Sequence, residues 1–324
     1  MLPIKPYSKK DISIWKKSNI VYLYVEIKNN VPRFEFNDKM DNNRVESIKQ
    51  MIQDTLNKYQ INDLEIFINL MDIPYNNPYF LAFSYTTNCN INTIPNFSFY
   101  QWDFAKIANF FDIKKDILNN VIQWENKEDK IMWSGLNSNK FREQFNNFVK
   151  NSNLYEFNLI EEYSTNPKYY KLTDHTKYKY LLDIEGIGYS GRVPYLLLTG
   201  SCVILLENTD PNRDYNLYYS KYFKEDIHYL KIRYTINDTM ESIHEKIQEK
   251  IKVSDCKKIG LDSQELAINV FTLDNILLYT SQLLKHYSQY YQNTDDILNP
   301  DLEYHKETNM KHIKNRLINK FKKH

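Results

Sequence analysis

The chain has 324 residues, 42% hydrophobic and 15% aromatic, enough apolar material for one large domain or two of medium size. Its formal net charge of +1 excludes the strong overall basic field of a nucleic-acid binder, and no stretch approaches the length of an apolar membrane span. Three cysteines, Cys89, Cys202 and Cys256, are too few and too widely spaced for a disulfide framework or a zinc site, and Cys202 reads as a small buried hydrophobe.

In chain order, alternation predicts paired strands over 20–27 and 31–36, and helical spacing predicts a helix over 44–56. An apolar strand over 64–70 leads to Asp72-Ile73-Pro74. A helical stretch over 112–124 is followed by a polar bridge, 125–130, which marks a boundary between two α/β halves. Beyond it come a strand at Ile131, a helix over 139–149 and a strand over 178–184. A short helix through Leu196-Leu197-Leu198 stops at Gly200, and a strand follows from Cys202. Another strand starts at His228, and a helix spans 237–251. Strands alternating with helices imply a mainly parallel sheet. The divisions expected are a first lobe over 1–127, a second lobe over 128–285, and a C-terminal helix with a basic tail over 286–324.

The segment KYKYLLDIEGIGYSGR, Lys177 to Arg192, holds three of the six glycines. Ser190 can cap the helix that follows, Pro194 fits its first turn, and Arg192 would then project beside free N–H groups that attract anions. The loop Ile187-Gly188-Tyr189-Ser190-Gly191-Arg192 thus reads as a phosphate site, with an ordinary tight crossover as the alternative.

That string, followed by LLLTGSCVILLE and by HYLKI at His228, resembles glycosyltransferase family 90. The family includes Rumi-type protein O-glucosyltransferases, KDEL-containing transferases and fungal capsule-associated xylosyltransferase-like proteins. The resemblance is clear over 131–232 and weaker from about Leu64 to Tyr290. It implies the GT-B architecture, two Rossmann-like lobes facing across a cleft, with the donor held mainly by the C-terminal lobe. It also implies inverting transfer of glucose or xylose from a UDP-sugar to an acceptor hydroxyl of a protein Ser/Thr or a glycan.

Read by itself, Asp72 is a turn-forming Asp-x-Pro or a carboxylate at a strand end that opens onto a cleft. Ile68-Asn69-Leu70-Met71-Asp72-Ile73-Pro74 looks like the family's Asn-Val-x-Asp-x-Pro segment, whose aspartate is the catalytic base, with Met71 in place of a common arginine. Trp133 to Glu143 is similar to the family's aromatic-Arg-Gly-Ser turn with an arginine seven residues after the glycine. Arg142 keeps that spacing from Gly135. Ser134 replaces the turn arginine and Leu136 the donor-binding serine, which leaves Ser138 or Asn137 to supply the contact. Arg142 and Arg192 are thereby candidate clamps for the departing diphosphate. His228 lies near the donor cleft by resemblance, or is a satisfied core histidine. Leu217 falls where many fungal members carry a glutamate.

Asp183-Ile184-Glu185 admits a different reading, the acidic triplet of a metal-dependent transferase, or groups that shape the glycine loop or bond ribose or sugar. No further acid or histidine cluster completes a metal site, so no metal cofactor is expected. Departures at Ser134, Leu136 and Leu217 also leave open a catalytically impaired nucleotide- or glycan-binding module. Tyr163, Tyr169, Tyr170, Tyr218, Tyr219 and Tyr222 read as packing residues. The basic tail over 306–324 is a solvated helix or a weak membrane-surface contact. The first residues hold no apolar leader with a cleavage site, so a cytoplasmic protein is expected, unlike the animal enzymes of the family, which work in the secretory pathway.

Overall fold

The computed structural model describes all residues except 18–20, 37–41, 75–76, 78, 90, 103–106, 108, 162–168, 297 and 299–324. The expected start of the first strand at Ile20, Tyr163 and the basic tail lie outside the described residues. The chain divides into two compact units, Met1–Tyr85 with Cys89–Pro95 and Leu277–His324, and Thr86–Asn88 with Asn96–Ile276. Drawn this way, residues 96–127 group with the second half of the chain, and the chain rejoins the first unit at Leu277.

The first unit begins with β1 (Tyr7–Ser8), α1 (Lys9–Trp15), β2 (Tyr22–Lys28), β3 (Val31–Phe36), α2 (Asn42–Lys58), β4 (Leu64–Asn69), β5 (Phe80–Leu81) and β6 (Ser84–Tyr85). One sheet has the order β3-β2-β4-β5, antiparallel except for the parallel pair β4–β5. Asn29 and Asn30 both take positive φ, 52° and 62°, which two-residue hairpin turns require and asparagine tolerates, so β2 and β3 are joined without loss of register. Every residue of β4 is buried, as a central strand demands, whereas β3 alternates exposed and half-buried positions. In α2 the buried side chains Val45, Ile48, Met51, Ile52 and Leu56 recur at helical spacing.

The second unit contains α3 (Phe110–Asn119), β7 (Glu128–Leu136), α4 (Lys140–Val149), β8 (Tyr155–Ile160), β9 (Tyr178–Ile184), α5 (Val193–Leu196), β10 (Cys202–Asn208), β11 (Asn216–Leu217), β12 (Leu230–Tyr234), α6 (Met240–Val253) and α7 (Cys256–Val270). Its five-stranded sheet is wholly parallel, in the order β12-β10-β9-β7-β8. A mixed α/β fold with a parallel sheet is therefore present as expected. From β7 the chain moves outward to β8 and then returns to place β9 on the other side of β7. The strand order thus reverses between β7 and β9, and ligands of open α/β sheets bind outside the carboxyl ends of strands at such a reversal. The core includes Trp133, Phe145, Leu182, Ile184, Cys202, Ile204, Ile232, Ile243 and Ile259.

Several boundaries differ from expectation. The 112–124 helix is α3 followed by a 3-10 turn at Trp124–Asn126, and the last residues of the polar bridge already belong to β7. The strand expected from His228 begins at Leu230, because His228 closes a turn instead. There its backbone N–H donates to the Lys224 carbonyl and its Nδ1 accepts the Lys224 N–H, both at 2.9 Å. After α7, α8 (Leu273–Ser288) leads to β13 (Tyr291–Gln292), which pairs in parallel with β1. Among the described residues no helix is long and apolar enough to cross a membrane.

Candidate functional site

The site is built where β7 and β9 end. Asn139 caps α4, accepting the Arg142 N–H at 3.0 Å, and its side-chain amide donates to the carbonyls of Glu185 and Gly186 at 3.0 and 2.9 Å. One asparagine thereby fixes both the helix start and the beginning of the glycine loop. At the far end of the loop Pro194 sits in the first turn of α5, and Gly200 at φ +69° allows the chain to turn back into β10.

Ser190 does not cap α5. Its hydroxyl donates to Asp183 Oδ1 at 2.7 Å, and Arg192 occupies the cap position without a side-chain capping bond. A carboxylate is the stronger acceptor partner, so Asp183 draws in both the Ser190 hydroxyl and, at 2.8 Å, Arg192 Nε. With four residues, α5 is also too short to gather the N-terminal field expected of it from the sequence.

Both candidate clamps turn inward. Arg192 Nη1 donates to the Ser134 carbonyl, and Arg142 bonds the carbonyls of Leu136 and Ile184 at 2.8 and 2.6 Å and Ser138 Oγ at 2.9 Å. Their guanidinium carbons lie 5.1 Å (Arg142) and 5.0 Å (Arg192) from the Trp133 ring centroid, two cations on one buried indole. Burial first, and then the charge of Arg192, push the Arg142 pKa down to about 9, which leaves it cationic at neutral pH. Gly135 makes this packing possible, since a Cβ there would lie 2.9 Å from Trp133 Cζ2 and 3.1 Å from Arg192 Nη1.

A cavity of about 130 Å³ opens beside the loop, lined by Asp183, Glu185, Tyr189 and Ser190 and, from the segments after β10, by Arg213, Leu217, Tyr219, Phe223 and Lys231. Glu185 pairs with Arg213, yet burial outweighs that cation and raises its carboxyl to about 7. The Tyr219 hydroxyl is buried with no hydrogen-bond partner among the described residues, and Arg213 Nε likewise. Arg213 and Lys231 are cavity groups that sequence reasoning missed, and Tyr219, expected as a packing residue, also lines the cavity. Arg213 sits in the polar run Asn208 to Asn216, where nothing local separates a cavity cation from a solvated one. Ile187 is exposed, Gly188 and Tyr189 are buried, and Gly191 packs against the Trp102 indole. His228 is half-buried, with its pKa lowered mainly by burial, and is not among the cavity-lining residues.

Asp72 lies in the first unit, beyond the end of β4. Asn69 closes the turn around it by accepting the Met71 N–H at 2.9 Å and donating to the Ile73 carbonyl at 3.1 Å. Arg44 of α2 reaches Asp72 Oδ1 at 2.8 Å.

A model of glycosyl transferase family 90 matches residues 6–322, and the chain belongs to that family. Protein O-glucosyltransferase 2 of Danio rerio is 24% identical over 262 residues, which cover 72% of this chain and 48% of the relative. Protein O-glucosyltransferase 1 of Rattus norvegicus is 23% identical over 289 residues, covering 79% of this chain and 70% of the relative. The chain thus spans about half the length of the first of these and more of the second. The crystal structure of TarM aligns with a TM-score of 0.34 at 14% identity, over 60% of this chain and 39% of that one, too low a likeness to assign a fold. The expectation of a cytoplasmic protein is corrected: the relatives matched are protein O-glucosyltransferases, the secretory-pathway enzymes against which that expectation had been set.

Proposed function

We propose that this member of the family is an inverting glycosyltransferase that moves glucose or xylose from a UDP-sugar to a hydroxyl of a protein Ser/Thr or a glycan. Family membership and the names of the relatives support the reaction class. The observation that carries the donor side is the cavity beside the glycine loop, at the carboxyl ends of β9 and β10, which combines cations (Arg213, Lys231) with aromatic walls (Tyr219, Phe223). Its volume suits one ring of a nucleotide sugar, with the remainder of the donor lying along its mouth. The GT-B reading, acceptor side in the first lobe and donor in the second, belongs to this proposal.

In this reading Asp72 takes the proton of the acceptor hydroxyl as its oxygen attacks the anomeric carbon from the face opposite UDP. The bond to UDP breaks with its electron pair on the diphosphate, and the cavity cations Arg213 and Lys231 offset the growing charge. No covalent intermediate forms. Asp183 and Glu185 each face an arginine and do not stand as an open carboxylate pair, which supports a reaction without a divalent ion. One observation favours a second reading, a binding module without turnover: the guanidinium groups of Arg142 and Arg192 are already engaged by backbone carbonyls.

The test is Asp72→Asn. Transfer from UDP-glucose or UDP-xylose is expected to be lost while UDP affinity is retained, and a wild-type rate in the variant would overturn the assignment.

A further inference from the structure

We propose that Arg44 is the positioning residue of Asp72, fixing which face of the carboxylate is offered to the acceptor hydroxyl. The proposal rests on the reading of Asp72 as the base. Arg44 lies near the start of α2, and its Nη1 donates at once to the Leu70 carbonyl at 3.0 Å and to Asp72 Oδ1 at 2.8 Å. One nitrogen therefore ties the carboxylate to the backbone two residues before it. Asn69 holds that backbone from both sides, through the Met71 N–H and the Ile73 carbonyl. Main chain and side chain of Asp72 are thus fixed independently, one by Asn69 and the other by Arg44.

The sequence neighbours of Asp72, Met71 and Ile73, carry no charge, so the cation comes from a helix 28 residues away. The two side chains are 27% and 33% exposed, sheltered enough to hold one geometry and open enough for a substrate hydroxyl to arrive. A pair this exposed contributes little to stability, and its effect falls on orientation. A base must meet its proton within hydrogen-bond reach, and a displacement of an ångström can cost two orders of magnitude in rate.

The test measures turnover of UDP-glucose and UDP-xylose by wild type, Arg44→Gln, Arg44→Lys and Asp72→Asn in parallel, with thermal melting of each. Arg44→Gln is expected to lower kcat about 10- to 100-fold with the donor KM within about twofold of wild type. Arg44→Lys, which can still make one of the two bonds, is expected to recover part of kcat. If Arg44→Gln keeps kcat within twofold while Asp72→Asn is inactive, Arg44 has only a structural role and the proposal fails. It fails equally if Arg44→Lys and Arg44→Gln lose activity only in step with their melting temperatures. An active Asp72→Asn, or a wild type that turns over neither donor, removes the base assignment itself and this proposal with it.

Discussion

Arg192 Nε donates to Asp183 Oδ1 at 2.8 Å, and the two side chains, 13% and 8% exposed, tie the glycine loop to the end of β9. The pair is sheltered from solvent, so removing one partner leaves a buried charge without its counter-ion. Arg192→Ala is expected to cost about 3–5 kcal/mol of folding free energy, and Asp183→Asn in the same chain to recover part of it. Urea unfolding of the single and double variants checks this, and unchanged midpoints in Arg192→Ala would show that the pair does not hold the loop.

The glycines of the site separate by the room each has for a methyl group. At Gly135 a Cβ would sit 2.9 Å from Trp133 Cζ2, inside a stack closed by two arginines, so Gly135→Ala is expected to destabilise by about 1–3 kcal/mol. At Gly186 the nearest atom is Ser138 Oγ at 3.5 Å, an ordinary contact, and Gly186→Ala is expected to stay within about 0.5 kcal/mol of wild type. Thermal melting that ranks the two variants in the opposite order would contradict the packing described for Trp133.

Two buried groups give opposite pH dependences over the same window. Burial pushes His175 down to about 4, so between there and its unfolded value near 6.5 the unfolded chain binds more protons, and stability falls as pH falls through that range. Burial raises Glu185 to about 7, so between its unfolded value near 4.5 and pH 7 the folded chain binds more protons, and stability falls as pH rises. Relative to wild type, His175→Gln is expected to lose the acid-side penalty, and Glu185→Gln the penalty on the neutral side. Denaturant midpoints from about pH 4.5 to 7.5 check both signs, and a slope relative to wild type of the wrong sign rejects the corresponding burial.

The strand Tyr178–Ile184 and the stop at Gly200 were legible because local pattern and a positive φ decide them. The turn at Asp72-Ile73-Pro74 was legible from local pattern as well, whereas the role proposed for Asp72 as base came from the family resemblance. What local pattern does not carry is the direction of a long side chain. Ser190 forsook its cap, and Arg192 its outward pose, for Asp183 and the carbonyl of Ser134, a strand end 58 residues away. Arg142 is fixed in the same way by the Ile184 carbonyl. Part of the cavity lining arrives from β10 onward, and Arg213 meets Glu185, and Lys231 meets Glu207, only once the parallel sheet has formed. Helix α7 went unread although Asp255 caps it by accepting the Lys258 N–H, because its apolar pattern follows α6 almost without a break.

The proposed function stands on the second unit binding a UDP-sugar without a divalent ion. Calorimetric titration of the chain with UDP, UDP-glucose and UDP-xylose, in chelator and in manganese, decides the point, each mixture being assayed afterwards for free sugar. Binding in chelator is expected, with slow sugar release from one of the two donors. Binding that appears only with manganese would contradict the metal-free reading, and no binding under any condition would contradict the donor site itself.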